Sequence, residues 1–168
     1  MNASQIHLAL THLPVLLSLV GLVVLVIAMF KRNDTLTKTA FYLLLFAGIS
    51  AAPVYFTGEG AEETIEHLPG VSESIIERHE SLANLAFGVV GAAAIVSLMG
   101  LLPYRQKGIL RTIRSLALFL AIATSGVMAV TAHLGGEIRH TEIRAGFQAQ
   151  TENETNGDMQ VNVNKNKD

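Results

Sequence analysis

The sequence contains no cysteine, which excludes disulfides, cysteine-ligated iron–sulfur clusters, thioether-linked haem and thiolate catalysis. Any metal must therefore be held by His, Glu, Asp, Met or backbone oxygen. Charge is scarce as well: Asp, Glu, Lys and Arg make up 15 % of the 168 residues, 50 % are hydrophobic and the net charge is −2. That balance offers no basic field for nucleic acid and is too apolar for an ordinary soluble domain. No Ser/His/Asp order, Walker loop or dinucleotide glycine pattern is present, so hydrolase, nucleotide and hydride-transfer readings have no support. What is left is the composition of a one-domain integral membrane protein.

Four apolar runs carry that reading. Residues 6–30 contain no acid, lysine or arginine, and as a helix they measure roughly 37 Å against a hydrocarbon core of about 30 Å. The run is too long for a signal-peptide core and its leading Met1–Gln5 has no positive charge, so a retained first helix is expected, bent near Pro14. A second span is expected over 39–57, with Pro53 kinking it or turning a carbonyl toward a neighbour. A third over 72–102 has Ser72 as its N-cap and Glu73 against the positive helix end. A fourth covers 109–140. The expected fold is an all-α, antiparallel, four-helix membrane bundle over 1–146, followed by a disordered polar tail over 147–168.

Basic residues orient it. Lys31, Arg32 and Lys38 follow the first span, and Arg105, Lys107, Arg111 and Arg114 follow the third. By the positive-inside rule both loops are cytoplasmic, which puts both termini on the outer, periplasmic side of a bacterial inner membrane.

Between the second and third runs lies a polar island, 58–80, with seven of the fourteen acidic residues. Glu59, Glu63, Glu66 and His67 share a helical face before Leu68-Pro69-Gly70 stops that helix. On the third helix Ile76, His79, Ala83 and Ala86 share a face. On the fourth, His133, Glu137 and His140 fall at i, i+4, i+7. Antiparallel threading brings all six histidines to the outer end. His12 and His133 sit roughly 9–10 Å inside it, His79 is placed to meet them, and His7, His67, His140 and the glutamates form a shallower layer. The plainer alternatives are headgroup-level polar residues, hydrogen-bonded interior histidines, a solvated glutamate face and glycines that only pack helices. Ionisable groups within a membrane nevertheless favour function.

The set His7-x4-His12-x-Pro14, Thr57-Gly58-Glu59-x-Ala61-Glu62-Glu63, His79-Glu80 and Leu134-Gly135-Gly136-Glu137 resembles the bacterial four-helix membrane proteins classed as domain of unknown function 2231. The resemblance covers about residues 1–146 and implies topology without an activity. Such proteins tend to follow the last motif with an apolar residue, a tyrosine and His-Gly, where this chain has Ile138-Arg139-His140-Thr141.

Three functions fit the residues. The first is b-type haem ligated by His12 or His79 with His133, with Arg78 or Arg139 meeting the propionates, exchanging electrons with a periplasmic carrier or a quinone. The second is non-haem iron, zinc or copper held by His7, His12, His79, His133 and His140 with Glu59, Glu63, Glu80 and Glu137. The third is a noncatalytic subunit that docks a partner or senses pH, with homo-oligomers or a larger membrane complex compatible with each.

Overall fold

A computed structural model describes residues 2–103 and 106–144; the tail expected over 147–168 lies outside them, as do Tyr104 and Arg105. The described residues form six α-helices: α1 Ala3–Leu10, α2 His12–Lys31, α3 Asp34–Phe56, α4 Gly58–Ile65, α5 Glu73–Leu101 and α6 Lys107–Arg139. A 3-10 turn follows at Thr141–Ile143.

Local chemistry sets the boundaries. α1 opens with a reciprocal cap, in which the Asn2 side chain accepts from the Gln5 N–H at 2.9 Å and the Gln5 side chain accepts from the Asn2 N–H at 3.2 Å. The first apolar run then breaks at Thr11, because Pro14 has no N–H to offer the Leu10 carbonyl. The expected first span is thus divided at Thr11, while Ala3–Lys31 taken together is one segment long and apolar enough to cross a membrane. α2 ends where Arg32 takes a left-handed conformation, φ 50°. Asn33 then caps α3 by accepting from the Leu36 N–H at 2.9 Å. That cap starts the helix at Asp34, ahead of the apolar run at Thr39, since a helix follows its cap and not its hydropathy. α3 continues through Pro53 to Phe56. Ser72 does occupy the N-cap of α5, but its hydroxyl makes no capping bond and lies 3.1 Å from that of Ser74.

α2 packs on α3 and α6, and α5 packs on the same two, so the four long helices close a ring. Its interior is built from small residues around a few large ones. Leu25, Phe41 and Leu44 meet Ala40, Ala117 and Ala121 in one cluster; Val90 and Met128 meet Ala47, Ala51 and Ala86 in the next. A methyl group on Gly48 would stand 2.5 Å from the Ala94 Cβ, and one on Gly100 would strike the Phe41 ring. The outside is the reverse, with Phe30 86 %, Phe119 67 % and Ile95 63 % exposed. Small residues inside and bulky apolar ones outside suit a lipid solvent, where close backbone approach takes the place of hydrophobic collapse. All four helical segments, the first of them α1 with α2, are long and apolar enough to cross a membrane.

Candidate functional site

Two histidines are held in the same unusual way at the end where α1, α4, the start of α5 and the end of α6 come together. α3 stops at Phe56, which leaves its last carbonyls without intrahelical partners. The Val54 carbonyl accepts from His7 Nδ1 of α1 at 2.9 Å. Thr57 Oγ1 lies 3.5 Å from the same nitrogen, and the ring rests beside Gly58. On the other side, His79 Nδ1 of α5 lies 2.9 Å from the Thr131 carbonyl of α6. Residue 135 is one helical turn beyond that carbonyl. A Cβ there would stand 3.1 Å from His79 Cε1, so glycine lets the imidazole lie against α6 without displacement.

A carbonyl oxygen can only accept, so each Nδ1 carries a proton, and in the neutral ring Nε2 then presents a lone pair. Among the described residues neither Nε2 has a hydrogen-bond partner. Both side chains are half-buried. An imidazole fixed through Nδ1 to a carbonyl is the arrangement that orients a metal-ligating Nε2.

The remaining histidines differ. His12 is exposed at the start of α2. His133 is 62 % exposed and engages its Nε2 with Glu137 at 3.2 Å along its own helix. His12 and His133 are exposed while His79 is turned to the α6 backbone, so among the described residues the expected trio of His12, His79 and His133 is not gathered into one group. His140, at the helix C-cap, pairs with Glu142 at 2.8 Å and not with Glu137. His67 meets only its neighbour Glu66, at 3.2 Å in solvent. Among the described residues no group of three or more His, Asp or Glu side chains is placed to hold a metal ion. Glu59, Glu63 and Glu80 are exposed, as are Arg78 and Arg139. Arg78 lines a shallow surface groove with Glu77, Ser81 and Leu82.

The expected shared face on α5 is present: Ile76 and Ala86 are buried, with His79 and Ala83 half-buried beside them. Sequence reasoning passed over the groups that fix the two rings. Two are main-chain carbonyls, which no residue type advertises. It also passed over Glu62, whose carboxyl is held above the ordinary range by partial burial and then by Glu80, Glu66 and Glu59. Tyr55 escaped as well. It stacks on Phe87, with centroids 4.3 Å apart, and donates to Asn84 at 2.6 Å, tying α3 to α5 just below the histidines. Glu142 is shifted the opposite way, lowered by its own backbone N–H and by the His140 hydrogen bond.

A family model described as "Predicted membrane protein (DUF2231)" matches residues 3–143. No curated protein and no solved structure matches the chain.

Proposed function

Because the chain belongs to the DUF2231 family of predicted membrane proteins, we propose that its four long helices cross the bacterial inner membrane as an antiparallel bundle, both termini outside, and carry a b-type haem at the outer end. His7 and His79 would hold it, in place of the pair that spacing favoured. One observation supports this: two half-buried imidazoles from different helices, each locked by Nδ1 to a backbone carbonyl, each with Nε2 unengaged. Haem iron needs two such nitrogens and no further protein ligand, whereas a non-haem iron, zinc or copper site needs a larger His/Glu set. When bound, haem would supply one-electron chemistry toward a periplasmic carrier or a quinone. The chain's own part is to fix the ring tautomers and to shield the iron from water.

The surface grooves at Arg78 and at Arg114 are not lined by His7 or His79, and a macrocycle held by both rings would displace α1. The element that would shift is α1, which rests on α4 and α3 and joins α2 through Thr11. Arg78, exposed one residue before His79, is available to a propionate, as is Arg139. The test is the absorption spectrum of protein solubilised from cells given ample haem. A Soret band is expected in wild type, absent from His7→Ala and His79→Ala, and kept by His12→Ala and His133→Ala. A wild type without the band ends this reading.

A second reading, pH sensing or partner docking at the same end, draws on the cluster of Glu59, Glu62, Glu66 and Glu80, whose mutual repulsion is felt at Glu62. It predicts pH-dependent capture of a neighbour by haem-free protein.

A further inference from the structure

At the opposite end a crevice of about 130 Å³ opens between α3, α5 and α6. Its walls are Thr37, Lys38 and Phe41 of α3, Gly100 of α5, and Leu110 and Arg114 of α6, with Asp34 at the rim. Gly100 helps make the space, because any side chain there would collide with Phe41. The Phe41 ring is fully buried and forms an apolar wall.

Arg114 is the informative residue. Its Nη2 donates to Asp34 at 2.8 Å, an ion pair whose carboxylate is 78 % exposed. Its Nε is buried and has no hydrogen-bond partner among the described residues. A guanidinium has five N–H donors in a planar fork suited to two oxygens of one anion, and here the contact with Asp34 is its one hydrogen bond among the described residues. A buried donor left unpaired costs free energy that an acceptor would recover. Lys38 adds a second cation to the same wall. Lys31 and Arg32, exposed at the end of α2, and Arg111, exposed on α6, surround this end with further positive charge, against the single carboxylate of Asp34.

We propose that this crevice binds a phosphate group, with Arg114 as the fork and Lys38 as the point charge. Its volume suits a phosphate and the first atoms attached to it. Its position where α3 and α6 begin and α5 ends is the depth at which phospholipid headgroups meet a membrane helix, and basic pockets between spans take anionic headgroups in this way. The apolar surface leading away from it fits an acyl chain. An anionic phospholipid and soluble inorganic phosphate share this chemistry, and the test separates them.

The full-length protein is placed in nanodiscs of phosphatidylcholine with and without phosphatidylglycerol, and retained lipid is read by native mass spectrometry. In a second arm inorganic phosphate is added to the phosphatidylcholine discs and thermal stability is followed. Wild type should retain phosphatidylglycerol over phosphatidylcholine. Arg114→Ala and Lys38→Ala should each weaken that retention about fivefold, the effect of one interfacial charge. Arg111→Ala, which removes the same charge from outside the crevice, should leave it near wild type. Stabilisation by inorganic phosphate that vanishes in Arg114→Ala supports the site with a soluble occupant. If Arg114→Ala does not fold, Lys38→Ala and Arg114→Lys carry the comparison. Equal losses in Arg111→Ala and Lys38→Ala reduce the site to a general basic field and overturn it. So does the absence of both lipid preference and phosphate stabilisation.

Discussion

The two ends of the molecule solve the same problem, polar groups beside a hydrocarbon core, in opposite ways. At the histidine end the polar side chains on the packed interior, His7 and His79, are satisfied by backbone carbonyls of other helices. Acids accumulate there around Glu62 with Arg78 as the nearest cation in sequence. At the basic end one acid, Asp34, serves a surplus of cations, and a guanidinium nitrogen is left buried without an acceptor. Between them lie alanine, glycine and a few large apolar residues in close contact. The lesson is that a neutral donor can be satisfied within the fold, whereas a surplus of fixed charge turns outward for its partners. The histidine end is therefore built to present lone pairs and the basic end to present donors.

Substitutions at three glycines strike that contrast hardest. Gly100→Leu places a side chain in the volume of the Phe41 ring and should cost about 3 kcal/mol, read by reversible unfolding in detergent. The same change at Gly126, which has no neighbouring atom within 4 Å of an added Cβ, should stay within about 0.5 kcal/mol. Equal costs would mean that the two helix faces are not packed differently. Gly135→Val comes next. It pushes on His79 from 3.1 Å and should release the ring from Thr131, losing about 1–2 kcal/mol together with any Soret absorbance, while leaving phospholipid retention at the other end intact.

Smaller effects sharpen the electrostatic side. Asp34→Asn removes an exposed ion pair, so unfolding experiments should register less than about 1 kcal/mol, shrinking further as salt is added. Glu62→Gln should act through pH. The folded state raises the carboxyl above its ordinary value of 4.5, so it binds the proton more tightly than the unfolded chain does. Stability from this group is thus greatest below pH 4.5 and is lost as pH rises through the raised value. The glutamine variant should melt slightly higher than wild type at neutral pH and show a flatter profile across that window. A variant that follows the wild-type profile would remove Glu62 as a titrating group at the histidine end.

The long apolar runs made the four spanning segments legible, because hydropathy over about twenty residues is a property of sequence alone. Proline chemistry pointed to a disturbance near Pro14, and the helix boundary falls three residues earlier, at Thr11. The start of α3 was misplaced because the capping asparagine lies outside the apolar run. The site was legible only by region. Spacing along a helix correctly paired His133 with Glu137, since both lie on one α-helix. It failed for His12, which is exposed, and for His140, where α6 ends and the turn brings Glu142 into reach. The partners of His7 and His79 are carbonyls 47 and 52 residues away, and no pattern of residue types encodes a main-chain acceptor.

The bare backbone at position 135 sets how closely the imidazole can lie against α6. An alanine there would meet the ring at 3.1 Å, so His79 would have to shift by a few tenths of an ångström to keep its seat, and a bulkier residue would ask more of it. The absence of one methyl group thus fixes the distance at which the proposed chemistry can sit from the helix behind it.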